Sequence, residues 1–308
     1  NAEVRKHART LAKGFGLSYK EYRKTLSTLR NHIDVVERKM SAKNFGEISY
    51  EKVPSKAIAR YRNAFQNQDT ERFESYLTAL ANGDVKVNAS TLSPYELVKT
   101  VVRTNGGYFA TNRFSITNDE NTLKLANAQW KQLLEEFFGE SVGANLLPVC
   151  DFSESMHQND YLPLFVAIGL SMFLAEKNEG NFGNSFLSFA DEPTIHTLRG
   201  ENFAEKLANV FKDGRVGYST NVEATFQLIL NTAINGNFSQ EDMPSTLVYF
   251  SDMNFNPTWA DKSRNIYSVQ QTDTVFEQMK EKFRQAGYEM PHIVFWNILG
   301  STQPATKL

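Results

Sequence analysis

Three short segments carry oxygen-bearing side chains at a spacing that suits a hard cation: Asp151-Phe152-Ser153-Glu154-Ser155-Met156, Ser219-Thr220-Asn221 and Ser251-Asp252-Met253. In the first, alternate residues of a tight loop direct oxygens from Asp151, Ser153 and Ser155 toward one point. Magnesium takes such ligands, with manganese or calcium as substitutes. The candidate metal residues are therefore Asp151, Ser153, Ser155, Thr220 and Asp252. If Asp151 and Asp252 face each other across about 5 Å, they repel by about 3 kcal/mol at an effective dielectric of about 20. A bound divalent ion removes that cost. Each residue also has a plainer role, the aspartates as strand-end turn residues and Thr220 with Glu223 as a helix capping box. Their joint occurrence at the ends of successive predicted strands is what favours the metal.

Other chemistries find little support. The sequence contains no Gly-x-x-x-x-Gly-Lys-Ser/Thr phosphate loop, no His-Glu-x-x-His zinc helix and no Gly-x-Ser-x-Gly nucleophile elbow. A haloacid-dehalogenase-like phosphatase needs a second aspartate two residues after the first, where Ser153 stands. His157 reads as a surface histidine, Cys150 as a packing residue within a strand, and Gly180 and Gly183 as turn residues. With no evident nucleophile or activated base, the metal site reads as a ligand-binding device without turnover rather than a hydrolase.

The elements that must position these residues change character near residue 140. From Ser18, which forms a capping-box pair with Glu21, one long helix is expected, with Tyr22, Leu26, Leu29, Ile33, Val36 and Met40 in a buried stripe. Further helices are expected after Pro54 (Ile58, Tyr61, Phe65 inward), near Asp69 (Phe73, Leu77, Leu80) and from Ser93-Pro94 with Glu96. A last one carries Ala126, Trp130, Leu133 and Phe137, giving an all-helical layer over 1–140. Over 141–308, apolar runs at 146–150, 186–189, 246–250 and 293–296 alternate with helices at 161–176, 201–211, 221–233 and 273–286. That alternation predicts a doubly wound, mostly parallel sheet flanked by helices, with ligands at the carboxyl ends of its strands. The run 194–197 follows too closely for a crossover and should pair antiparallel.

Bulk properties agree with an α + α/β protein of two parts. The 308 residues are 41% hydrophobic, and no apolar run approaches the about 20 residues of a membrane span. One cysteine cannot form an internal disulfide, and the N-terminus lacks the apolar core of a signal peptide, so a cytoplasmic location is expected. The net charge of −2 hides an asymmetry: 22 Lys and Arg against 16 Asp and Glu in residues 1–140, and 11 against 19 in the rest. Arg23, Lys24, Arg30, Arg38, Lys39, Lys56, Arg60 and Arg62 cluster early and form a candidate phosphate-binding face, or else a solvated helix surface.

The Asp151–Ser155 loop, the Thr220 loop and Ser251-Asp252-Met253 resemble the metal-ion-dependent adhesion site of von Willebrand factor A domains. That resemblance implies Ser153, Ser155 and Thr220 as inner ligands, Asp151 and Asp252 acting mainly through water, and a partner carboxylate completing the shell. Glu154 departs from the pattern, a glycine being common there. The stretch Leu29–Tyr61, with Val36-Glu37-Arg38-Lys39-Met40-Ser41-Ala42 and Val53-Pro54-Ser55, is similar to Ro-type TROVE proteins. Closer still is a family pairing such a helical segment with an A domain, which Gly287-Tyr288-Glu289-Met290-Pro291 also matches. The resemblance implies RNA as a partner in a ribonucleoprotein, with a metal-dependent protein-interaction or assembly module, part of a larger particle, as the alternative. It further implies a helical part incomplete at its N-terminus and an A domain lacking its last strand and helix.

Overall fold

A computed structural model describes residues 2–33, 35–86, 92–105, 113–138, 145–189, 192–213, 221–253 and 269–299. Its first part runs α1 (Ala2–Gly14), α2 (Tyr19–His32), α3 (Val36–Ser41), α4 (Ser55–Gln68), α5 (Thr70–Asn82), α6 (Pro94–Val101), β1 (Val102–Thr104), β2 (Phe114–Ile116) and α7 (Glu120–Phe138). The start signals act as read. The Ser18 amide donates to Glu21 Oε2 at 2.9 Å and the Glu21 amide to Ser18 Oγ at 3.2 Å. At α6 the Ser93 amide donates to Glu96 Oε2 at 2.9 Å.

Four expectations for this part are corrected. The single helix running to Met40 is two, because Ile33 leaves the helix (φ −85, ψ 3) and Val35 restarts it from an extended conformation (ψ 138). Ile33, Val35 and Val36 are β-branched and stiff at χ1, which weakens a helix there. Its stripe is buried only in part: Val36 is buried and Tyr22, Leu26 and Met40 are half-buried, but Leu29 and Ile33 are exposed and α2 contributes no buried residue. The layer is not all helical, since β1 and β2 form an antiparallel pair in the register Val102↔Ile116. Phe137 is exposed, whereas Ala126, Trp130 and Leu133 of the same helix are buried.

The second part runs β3 (Leu146–Asp151), α8 (Gln158–Ala175), β4 (Ser185–Phe189), β5 (Thr194–Thr197), α9 (Phe203–Asp213), α10 (Val222–Gly236), β6 (Thr246–Ser251), α11 (Val269–Gln285) and β7 (His292–Asn297). The five strands lie in the order β5-β4-β3-β6-β7. β4, β3, β6 and β7 are parallel, and β5 pairs antiparallel with β4 as its short connection requires. The described chain is thus a mixed α/β protein with a mostly parallel sheet.

α8 sits between the sheet and the first part, and from Pro163 onward it is buried or half-buried all round, as a helical stretch with no polar face must be. Its Gly169 lies so close to α6 that a Cβ there would meet the Tyr95 nitrogen at 2.9 Å. One core therefore joins Leu97, Val98, Trp130 and Leu133 to Cys150, Ile168, Met172 and Phe186. The opposite sheet face packs Leu147, Val149, Leu187 and Tyr249 against Phe226, Ile229, Met279 and Phe283 of α10 and α11. This two-sided burial fixes the strand ends where the candidate site lies. Among the described residues no helix is long and apolar enough to cross a membrane.

Candidate metal centre at the strand ends

The parallel register places Cys150 beside Phe250, so β3 and β6 end together and deliver Asp151 and Ser251 side by side. The Asp151 carboxylate is buried with both oxygens engaged: Oδ1 accepts from the Ser153 amide at 2.8 Å, and Oδ2 from Ser251 Oγ at 2.5 Å. Ser251 Oγ in turn accepts the Met253 amide at 3.0 Å, which fixes the turn carrying the buried Asp252. Met253 takes a left-handed φ of 67, a conformation that costs a non-glycine residue roughly 1 kcal/mol. Ser153 Oγ and Ser155 Oγ stand 3.1 Å apart, the first buried and the second half-buried, while Glu154 points to solvent.

Of the five predicted metal residues the structure thus gathers Asp151, Ser153, Ser155 and Asp252. Thr220 lies outside the described residues. Asn221 is the N-cap of α10, its side chain accepting the Ala224 amide at 3.0 Å, so the capping role weighed for Thr220 belongs to its neighbour. Ser251 was missed because a serine closing an apolar strand reads as ordinary. Its place before Asp252, opposite Asp151 in a parallel pair, is the signal that finds it.

Burial pushes the Asp151 carboxyl up to about 6, with the Asp252 charge adding to the effect and the Ser153 and Ser251 hydrogen bonds opposing it. A divalent cation between the two loops would reverse that balance. The donor set fits one: carboxylate and hydroxyl oxygens only, with Asp151 oriented by its own hydrogen bonds. Ser153, Ser155 and Asp252 are the residues that could hold one. Among the described residues no group of three or more His, Cys, Asp or Glu gathers, at these strand ends or elsewhere.

His157 is buried, which corrects its reading as a surface residue: the chain turns in after Ser155, and Tyr161 packs 5.3 Å away, ring to ring. Arg113, just before β2, bonds the His157 Nδ1 at 2.9 Å. Burial first, and then the Arg113 charge, push His157 down to about 4, so the ring is neutral at physiological pH. Cys150 is buried beside Ser171, and burial pushes its thiol well up, which leaves it inert.

The eight basic residues do not share one role. Arg23, Lys24, Arg30, Arg38 and Arg60 are exposed and form no ion pair among the described residues. Lys39 is half-buried. Lys56 pairs with Glu96 at 3.1 Å, tying α4 to α6, and half-buried Arg62 donates to the Ala59 carbonyl at 3.1 Å.

Comparison with known proteins yields two family matches, both to domains of unknown function: DUF2828 over residues 3–140 and DUF7788 over residues 145–307. A similar protein is an uncharacterized one from Acanthamoeba polyphaga mimivirus, 31% identical over 307 residues. That match covers 95% of this chain and 49% of the relative, so the chain spans about half the relative's length. Neither match is to a von Willebrand A or TROVE/Ro family, which overturns both resemblances drawn from the sequence. Short polar motifs at strand ends report a chemistry that unrelated sheets reach, and so they do not identify a family.

Proposed function

The chain belongs to the DUF7788 domain family through residues 145–307, and we propose that this domain is a non-catalytic binding module whose strand-end loops hold a divalent cation. The observation that supports this most is the buried Asp151 carboxylate, with both oxygens pinned, beside Asp252 and a pair of serine hydroxyls 3.1 Å apart. Two buried carboxylates at neighbouring strand ends are a standing cost to the fold unless a cation shares the site. Magnesium is the ion that this oxygen set suits, and its remaining positions would go to water or to an acidic side chain of a partner protein. The residues nearby that could act as base or nucleophile are committed: His157 to Arg113, and Cys150 to the core.

Manganese bound here keeps water in its open positions, so the proton relaxation of water should rise on binding and fall when an aspartate-containing peptide displaces that water. A site that binds manganese but is indifferent to the peptide would reduce the reading to a structural ion. No saturable manganese binding would end it. RNA is the second reading, supported alone by Arg23, Lys24, Arg30, Arg38 and Arg60, which are exposed and form no ion pair among the described residues. It requires an affinity that falls log-linearly with salt and drops on Arg30→Glu with Arg38→Glu.

A further inference from the structure

The two N-terminal helices repeat one pattern: Val4, Ala8, Leu11 and Phe15 on α1, and Tyr22, Leu26, Leu29 and Ile33 along and just after α2, each at i, i+4, i+7 and i+11. A turn over residues 15–18 joins them and they pack on each other. That contact leaves most of the stripe uncovered. Val4 is 62% exposed, Leu11 52%, Phe15 71%, Leu29 53% and Ile33 66%, and Ala12 alone of the described residues in the pair is buried. Helices of 13 and 14 residues draw most of their stability from tertiary packing. α4 and α5, of the same length, obey this and bury Ile58, Phe65, Phe73 and Leu77.

The charge on the hairpin selects what covers it. Residues 2–33 hold eight Lys and Arg against two Glu. At about 100° per residue, Arg5 on α1 and Arg23 and Arg30 on α2 fall on the flank of the stripe. Arg9 and Arg23 both lie over the Tyr19 ring, at 5.7 and 6.0 Å. A second copy would bring the same positive excess against this one. RNA would engage the cations and leave the aliphatic stripe in water. We propose that the α1–α2 stripe is the docking site of an acidic amphipathic helix from a partner protein. Its apolar face lies along the two stripes, and its flanking Asp and Glu meet Arg5, Arg23 and Arg30. This surface is separate from the strand-end site and stands whether or not that site binds metal.

The test uses the whole chain and a labelled helical probe peptide with leucines at i, i+4, i+7 and i+11 and glutamates beside them. Fluorescence anisotropy should show saturable binding that weakens as salt rises, at least about tenfold weaker for Leu29→Asp or Phe15→Asp. Both residues are exposed, so circular dichroism should show these variants folded. A scrambled probe of the same composition should bind at least about tenfold more weakly. Equal binding of the scrambled probe, or indifference to both substitutions, would overturn the proposal. So would Leu29-dependent binding to anionic phosphatidylserine vesicles or to single-stranded RNA, or self-association of the chain abolished by Leu29→Asp.

Discussion

The strand-end cluster and the α1–α2 hairpin break opposite rules of folding. At the strand ends, carboxylates lie inside, where charge is costly, and hydrogen bonds from Ser153 and Ser251 hold Asp151 in place. On the hairpin, aliphatic and aromatic side chains lie outside, where burial would have stabilised the chain. Between them, around Phe65 and Tyr50, apolar side chains lie inside, and the Tyr50 hydroxyl donates to Asp69 at 2.7 Å. Local departures of this kind are where a fold leaves room for a partner, and on the two proposals made for this chain the partner is a cation at the strand ends and an acidic helix at the hairpin.

The largest effect separates the ordinary core from the hairpin. Phe65→Ala removes a fully buried ring that packs 5.2 Å from Tyr50 and 5.5 Å from Phe73, ring to ring. It should cost about 3–5 kcal/mol in urea unfolding. Phe15→Ala, in the same assay on the isolated chain, should stay within about 0.5 kcal/mol. A large loss for Phe15→Ala would show that the stripe is already covered.

Next come the two titrating groups beside the site, whose signs are opposed. In metal-free protein the folded-state value of Asp151 rises from 3.8 to about 6. Its contribution to stability is therefore full below the unfolded value and is lost as pH rises through 6, by about 3 kcal/mol. His157 is depressed from 6.5 to about 4, so its contribution is present above 6.5 and is lost as pH falls toward 4. The two slopes oppose each other across the same window. Asp151→Asn should therefore stabilise metal-free protein above pH 6 and uncover a stability that climbs between pH 4 and 6.5. Denaturant midpoints across pH would show it, and a variant no more stable than the parent at pH 7 would contradict the burial cost assigned to Asp151.

A smaller effect tests the hydrogen bond that sequence reasoning missed. Ser251→Ala removes the buried donor to Asp151 Oδ2 and the part-buried acceptor of the Met253 amide, and should destabilise by about 1–3 kcal/mol. It should also weaken magnesium binding by about tenfold or more, as loss of a residue that orients ligands does. Unchanged magnesium affinity would restrict Ser251 to a packing role.

The sheet was legible because buried parallel strands announce themselves as short apolar runs, and β5 because four residues cannot cross a sheet. Asp151, Ser153, Ser155 and Asp252 were legible because each stands in a short polar interruption of such runs. Contacts between distant residues carry no local trace: Arg113 meets His157 across 44 positions. The break at Ile33 is local yet was hidden by a spacing that continues across it, since periodicity records a face and not the continuity of a helix. The β1–β2 pair has three-residue strands, too short for alternation to show.

The central claim is most directly tested by isothermal titration of magnesium into the whole metal-free chain at pH 7.5, alongside the double variant Ser153→Ala with Asp252→Asn. One saturable site per chain in the parent, absent from the double variant, is the expected result. No saturable heat up to about 10 mM, far above the about 1 mM of the weakest specific divalent sites, would contradict it, as would a site that survives both substitutions.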